Sequence, residues 1–350
     1  MNLVNTKMVS QKQIADELNV HVTLVSKVLN GRMGTSGVSE VTAQRIRETA
    51  LEMGYRKNAN AAALRSGRQQ VIAAFIDRRI GAAGSGLIEG LIAGVCAGTR
   101  QLHQRQLINF YNDLDEFKDL ASDLHAGAVD GLLVSCARPD GLAVELRRLQ
   151  ASGIPVVTVF NGGVDPEILN INVDNAEVIK VATRHLIERG RRRILHLSCS
   201  RSHEAGYFEA LKEAGLPVDP ALVRYSHQEG GVNFTRDQGE AGIRRALEVG
   251  LDFDAVCAQS DTQAVGAMYV LIRNGWRIPE DVMITGVDDS PHAQQAFVPL
   301  SSVNQQFEQR GIEAVKALSQ MTGKSSARQI RLVPELVARA STEAGSPARA

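Results

Sequence analysis

The chain has 350 residues, room for two or three domains around a sizeable core, and its 39 basic and 39 acidic side chains cancel. The cancellation is uneven: residues 1–70 carry ten Lys or Arg against five acids, so the rest of the chain sums to −5. A basic amino-terminal module on an acidic body suits a polyanionic partner, because phosphate contacts release counterions. Aromatic residues make up only 4%, few rings for stacking on bases or sugars. No apolar run reaches membrane-spanning length, and the first residues lack the uninterrupted apolar segment of a signal peptide, so a cytoplasmic location without membrane association is expected. Cys96, Cys136, Cys199 and Cys257 are scattered without a C-x-x-C pair and read as core thiols, with no metal site.

Residues 11–30 read as a helix-turn-helix. Ser10 followed by Gln13 is a capping-box start, and Ile14, Ala15 and Leu18 form an apolar stripe at helical spacing. Asn19-Val20-His21 breaks the pattern with Val20 turned inward. A second helix at 22–29 buries Leu24, Val25 and Val28 and leaves Val22, Thr23, Ser26 and Lys27 outward. Two short helices meeting at a sharp angle place the second in a DNA major groove. Beyond a flexible loop at 31–37, Ser39 caps a third helix running to Met53, with Val41, Ile46, Ala50 and Met53 inward and Gly54 as its stop. An Ala-rich stretch at 59–67 is too short for an autonomous helix and reads as a linker that turns helical only when held.

From Val71 the texture changes to short apolar strands alternating with amphipathic helices. Strands are expected at 71–76, 106–111, 131–134, 155–160, 194–197, 255–258 and 282–285, with helices at 87–101, 141–151, 176–188, 235–249 and 262–274. Regular βα alternation implies parallel sheets, and the length implies two lobes facing each other across a cleft. The expected organisation is a helix-turn-helix headpiece at 1–57, a linker at 58–69, a two-lobed domain at 70–342, and a disordered tail at 343–350.

At this level of detail the chain resembles the LacI/GalR-type repressor family from end to end. Val25-Ser26-Lys27-Val28-Leu29-Asn30-Gly31 is similar to the V-S-R-V-L-N-G recognition-helix signature, and Val38-Ser39, Arg45-Ile46 and Met53-Gly54-Tyr55 to the family's third helix. Asn58 to Leu64 resembles the hinge helix. In the body, Val173-Asp174-Asn175 with His185-Leu186 and Ile194, Ile278-Pro279-Glu280-Asp281-Val282, Gly286-Val287-Asp288-Asp289, Pro299 to Gln305 and Arg339-Ala340-Ser341-Thr342 follow the family's motifs in order. The resemblance implies an all-α helix-turn-helix headpiece on an α/β body of two parallel-sheet lobes, like a periplasmic binding protein. It implies a homodimer, or a tetramer, that represses transcription at a palindromic operator and responds to a small-molecule effector, a carbohydrate or related metabolite.

By that resemblance the DNA-contacting positions are His21, Val22, Thr23, Ser26, Lys27, Asn30, Tyr55, Asn58, Ala61, Leu64 and Arg65. Thr23 can bond a base edge or touch a thymine methyl, and Lys27 can reach guanine O6 and N7, without the planar fork of the family's more usual arginine. His21 would contact phosphate mainly when protonated. Leu64 corresponds to a wedge inserted in the minor groove by two subunits. Lys57 stands where the family usually has proline. For the effector the candidates are Asp77, Phe160, Asn161, His203, Ser260, Asp261 and Asp288. His203 occupies the position of a family arginine and the first loop lacks its usual aromatics, so the pocket is short of a guanidinium and should hold simple sugars poorly. Asp261 and Asp288 can equally be ligands or caps of the surrounding loop.

Two other classes compete. A stand-alone binding protein of the same body fold fits poorly with the basic headpiece. A dinucleotide-dependent enzyme could use Gly84-x-Gly86-x-x-x-Gly90, but the approach from Ile76 is long and the last spacing is one residue over. No catalytic motif, cofactor or metal is expected.

Overall fold

The computed structural model describes residues 9–31, 38–56, 68–79, 86–124, 127–135, 140–159, 164–199, 201–225, 235–321 and 329–343. They fall into two compact units, residues 1–69 and 70–350. Asn58, Ala61, Leu64, Arg65, Cys136, Phe160 and Asn161, all named as candidates above, lie outside the described residues.

In the first unit, helix α1 spans Gln11–Leu18 with the Ser10–Gln13 capping box formed in both directions. It stops at Asn19, whose φ of 49° is left-handed. Helix α2 spans Val22–Leu29 and α3 spans Glu40–Glu52. Ile14, Ala15, Val25, Val28, Ala43, Ile46 and Ala50 form the core, with Leu18, Val20, Leu24, Met53 and Tyr55 packed around it. Val41 corrects the expected pattern, since it is 72% exposed and Ala43 takes its place. Residues 43, 46 and 50 share one stripe of α3, whereas 41 lies five residues from 46, well round the helix.

The body contains two six-stranded sheets. The first lobe has β1 (Val71–Asp77), β2 (Arg105–Tyr111), β3 (Gly131–Ser135), β4 (Val156–Val159), β5 (Leu169–Val173) and β11 (Gln329–Leu332), in the order β2-β1-β3-β4-β5-β11 with every pair parallel. Its helices are α4 (Leu87–Gln101), α5 (Leu114–Ser122), α6 (Leu142–Ala151) and α12 (Phe307–Gln320). The second lobe has β6 (Ile194–Ser198), β7 (Val223–Tyr225), β8 (Ala255–Ala258), β9 (Met283–Val287), β10 (Ser301–Asn304) and β12 (Glu335–Val337), ordered β7-β6-β8-β9-β10-β12. Only the β10–β12 pair is antiparallel. Helices α7 (Asn175–Glu188), α8 (Arg201–Glu213), α9 (Arg236–Glu248), α10 (Asp261–Arg273) and the short α11 (Pro291–Gln294) accompany it.

Central strands are apolar throughout because both faces are covered: Ala73 and Phe75 point to one core, and Ile72, Ala74 and Ile76 to the other. The chain crosses between lobes three times, at Asp174, at Gln305-Gln306 and between β11 and β12. In both sheets the strand order reverses beside the first strand of the lobe, β1 against β3 and β6 against β8. The crevices at the carboxyl ends of those pairs are where open α/β sheets bind ligands.

The closing Arg339-to-Thr342 segment fastens the second lobe. Arg339 donates to Asp289 Oδ1 (2.6 Å) and to the Leu300 carbonyl (2.9 Å), and Ser341 Oγ donates to the Ile284 carbonyl (2.6 Å). Thr342 Oγ1 lies 2.7 Å from His185 Nε2 and 2.6 Å from Ser301 Oγ. Four of the motifs read from the sequence therefore meet in one network.

Paired helices approach through glycine. A Cβ on Gly206 of α8 would overlap the Ala176 carbonyl of α7, and one on Gly94 of α4 would overlap the Glu308 carbonyl of α12. At Gly90, one turn earlier in α4, a Cβ would meet Phe307 Cβ at an ordinary 3.4 Å. Gly94→Ala should therefore lower stability by about 1–3 kcal/mol, a fall of several degrees in midpoint. Gly90→Ala should be neutral or slightly stabilising, as expected for a helix-interior glycine replaced by a better helix former. Thermal melts of both variants, side by side, check the pair, and equal midpoints would contradict the packing.

Candidate nucleic-acid interface and effector cleft

His21 is the N-cap of α2: its Nδ1 accepts from the Thr23 backbone N–H at 3.3 Å and lies 2.9 Å from Thr23 Oγ1. A ring that accepts at Nδ1 carries its proton on Nε2, so the neutral tautomer already offers an outward donor. His21, Val22 and Thr23 are exposed at the start of α2, and Ser26 and Lys27 are half-buried one turn later. Asn30 Nδ2 donates to the Ser26 carbonyl (2.7 Å) and Oγ (3.2 Å), which ties those two residues to each other at the end of the helix. Tyr55 is half-buried against the core, and its hydroxyl accepts from Gln11 Nε2 at 2.9 Å.

In the body, Asp77 ends β1 at the reversal point of the first sheet and is fully buried. Arg79 answers it on both oxygens: the backbone N–H and Nε donate to Oδ1 at 2.9 Å each, and Nη2 donates to Oδ2 at 2.7 Å. The bond to Asp77 raises the Arg79 pKa further above its ordinary value. Arg79 went unnoticed in the sequence, although an Asp accepting from the N–H two residues on is a common turn that Asp77-x-Arg79 permits. It places a guanidinium against Asp77 at the end of β1 in the first lobe.

On the second lobe His203 sits in the first turn of α8, where burial, reinforced by His196 and opposed by Asp174, pushes its pKa down to about 4. At neutral pH it is no substitute for a cation. His196 is fully buried and likewise near 4, with Nδ1 donating to the Cys257 carbonyl and its ring stacked on Tyr207 at 5.0 Å. Beside them Glu204 accepts from Ser198 Oγ and Tyr225 OH, both at 2.8 Å. Cys199 corrects the core-thiol reading, since it is half-buried and accepts from Gln263 Nε2 at 2.8 Å, with its N–H on Gln259. Only Cys257 is a buried thiol among the described cysteines.

Ser260 caps α10 by accepting from the Gln263 N–H. Asp261 Oδ2 accepts from Ser290 N (2.7 Å) and Oγ (2.8 Å), and Oδ1 from Ser302 Oγ (2.5 Å). Its carboxylate thus organises the loop after β9, and burial raises its pKa to about 7. Asp288 and Asp289 take positive φ, 108° and 53°, conformations that L side chains adopt rarely. Asp288 Oδ1 accepts from Gln305 Nε2 at 2.7 Å, while Gln305 Oε1 lies 3.4 Å from Arg310 Nη2. Burial and the neighbouring Asp261 push the Asp288 pKa well up, and burial brings fully buried Arg310 down to about 9. The Arg310 guanidinium also stacks over the Phe307 ring, 4.1 Å from its centre. The sequence reading does not single out Arg310, although it is the one charge on the apolar stripe of α12.

Among the described residues no group of three or more His, Cys, Asp or Glu could hold a metal ion, and no helix is long and apolar enough to cross a membrane.

Known proteins agree with this architecture. Residues 183–342 match the periplasmic binding protein-like domain family. A relative in Thermobifida fusca, the HTH-type transcriptional regulator CelR, is 33% identical over 326 residues, 89% of this chain and 91% of the relative. A solved complex of CelR with cellobiose is 28% identical, covers 95% of this chain and 99% of its own, and has a TM-score of 0.66. The lac repressor dimer bound to operator and an anti-inducer shares the fold at a TM-score of 0.72 and 21% identity, over 97% of this chain and 100% of that one. With a basic helix-turn-helix unit, a two-lobed body and these relatives along nearly its whole length, the chain belongs to the LacI-type family of ligand-responsive helix-turn-helix transcriptional regulators.

Proposed function

We propose that this regulator is a cytoplasmic repressor that binds a palindromic operator as a homodimer and has no catalytic activity. The observation that carries the reading is the exposed start of α2, where His21, Val22 and Thr23 lead a helix seated on its own core. Thr23 and Lys27 read base edges, and His21, through Nε2, and the basic headpiece surface meet phosphates. Tyr55, Asn58, Ala61 and Arg65 line the backbone and minor groove, with Leu64 as the wedge. Ser26 and Asn30 hold the helix end.

Dimerisation is supported by apolar surface in both lobes. The open edge strand β2 leaves Leu107 and Phe110 exposed, and Tyr269 and Phe297 are exposed on the second lobe, Phe297 at 86%. A dinucleotide site is disfavoured because Gly86, the N-cap of α4, lies against Ser290 and Pro291, where a pyrophosphate would have to sit. The effector is a small metabolite held between the lobes by Arg79, His203, Ser260, Asp288 and the segment around Phe160 and Asn161, with Asp77 and Asp261 orienting them. Its binding changes the angle between lobes and thereby the two hinge segments, altering operator affinity by a coupling free energy of about 1–3 kcal/mol.

Selection of bound sequences from a random duplex library by the full-length protein should return an inverted repeat. Affinity should fall steeply between 50 and 200 mM salt, by roughly 10³-fold or more if about six phosphates are contacted. A Thr23→Ala, Lys27→Ala double variant should lose most of the sequence preference, and recovery of no consensus by the parent would sink the reading. Leu64→Ala should bind its operator more weakly and bend it less.

A thermal-shift panel on the full chain, covering neutral sugars including cellobiose, sugar acids, sugar phosphates and nucleobases, addresses the effector. A ligand at about 100 times its Kd should add roughly 2.7 kcal/mol, several degrees for a body of this size. Operator binding repeated with the hit separates an inducer from a corepressor.

A further inference from the structure

The chain passes from the helix-turn-helix unit into the two-lobed body at Gln70, and three hydrogen bonds converge on that point. The Gln70 N–H donates to Asp130 Oδ2 at 2.7 Å, and the Gln70 carbonyl accepts from the Arg105 N–H at 2.7 Å. Asp130 also donates its own N–H to the Val71 carbonyl at 2.7 Å. Residue 105 opens β2, and residues 70 and 130 stand immediately before β1 and β3, the two neighbours in the middle of this group of strands. Asp130 therefore grips the start of β1 at two successive residues. Gln70 itself has a φ of 56°, a left-handed conformation that a glutamine rarely takes unless its surroundings impose it.

Packing does not impose it. Gln70 is exposed, and Val71 and Arg105 beside it border an open groove with Leu107, Leu124 and Val129. The hydrogen bonds impose it instead. A backbone N–H bonded to a carboxylate is charge-assisted, stronger than a neutral pair and fixed in direction. The φ of Gln70 decides which way residues 68–69 run from the sheet, so the carboxylate of Asp130 sets that heading. Without the bond, residue 70 would relax toward ordinary negative φ and swing the chain ahead of it. This anchor lies at the amino end of β1, the opposite end from Asp77, and moves as part of the first lobe.

We propose that Asp130 is a positioning residue for operator binding: by holding Gln70 left-handed it sets the direction in which the chain runs from the body toward the DNA-binding unit. The inference rests on the proposed operator binding and names the residue through which the body takes part in it. Two subunits on one palindrome must each send a DNA-binding unit to its own half-site. With Asp130 in place, the heading of each exit is fixed before DNA is met. Without it, the backbone of residue 70 is ordered anew at every binding event, and operator affinity falls by that cost. Non-specific phosphate contacts, which one DNA-binding unit makes by itself, need no such order.

The test compares the full-length parent with Asp130→Ala, Asp130→Asn, Gln70→Pro and Gln70→Asn, on the duplex recovered by selection and on a scrambled duplex of equal length. Asp130→Ala removes the acceptor, and Gln70→Pro removes both the N–H and the left-handed φ. Each should raise the operator Kd on the order of ten-fold, as re-fixing one backbone residue costs, and leave the scrambled-duplex Kd within about two-fold. Asp130→Asn keeps an acceptor oxygen without the charge, and Gln70→Asn tolerates the left-handed region, so both should stay within about three-fold of the parent on the operator. A second readout needs no operator: trypsin cleavage after Arg68, two residues before the anchor, should quicken several-fold in Asp130→Ala and Gln70→Pro. Melts of each variant confirm a folded body, and if Asp130→Ala fails to fold, Gln70→Pro carries the comparison. Three outcomes overturn the proposal: an unchanged operator Kd, equal weakening on both duplexes, or cleavage no faster than in the parent. A parent without sequence preference would instead count against the operator reading, and the cleavage rates would still decide the anchor.

Discussion

The two lobes are held in register by charge buried where the chain crosses between them. Gln305, the last residue before the crossing, donates to Asp288 on the second lobe and lies 3.4 Å from Arg310 Nη2 on the first. Moving a guanidinium out of water costs several kcal/mol even after relaxation, so every group around it is constrained to answer it. Phe307 offers the face of its ring, Gln305 its carbonyl oxygen, and Asp288 a carboxyl whose raised pKa reflects its own desolvation. Asp261, a neighbour in the same acidic cluster, spends its oxygens on Ser290 and Ser302 and so shapes the loop that meets Gly86. Lobe angle, loop position and charge state are therefore properties of one network. A change in any of them is felt by the others.

Much of the scaffold was legible because period and capping are local. The capping box at Ser10, the stop at Asn19 and the bounds of α4 follow from residues a few positions apart. What escaped notice was short or lay late in the chain. Strands β5, β7, β10, β11 and β12 have three to five residues each, too few for alternation to stand out, and α12 hides Arg310 on its apolar stripe. Val41 is apolar, yet its angle on the helix carries it away from the core.

The site divides along the same line. Positions on helices could be assigned by pattern, whereas the partners of each polar group depend on which loops the topology brings together. Asp77 could be named as an acceptor in advance, yet nothing in the spacing alone says that Arg79 turns back onto it rather than outward. Asp261 and Asp288 lie 27 residues apart in sequence and looked equivalent, but one is enclosed by serines of its own lobe and the other is bridged toward the opposite lobe. The Arg339-to-Thr342 motif shows the converse case. Its residues looked like a mere signature until their partners, Asp289, Leu300, Ile284 and His185, proved to belong to separate elements.

The asymmetry of the cleft walls bears directly on how a ligand could do work. A ligand shifts a conformational equilibrium only by the difference in its affinity for the two states, however tightly it binds either. A molecule held by one lobe alone would bind open and closed lobes alike and change nothing. One that also reaches the amides and hydroxyls at the carboxyl ends of β6 and β8 gains those contacts only when the lobes approach, and the contact of Gly86 with Pro291 sets how near they come.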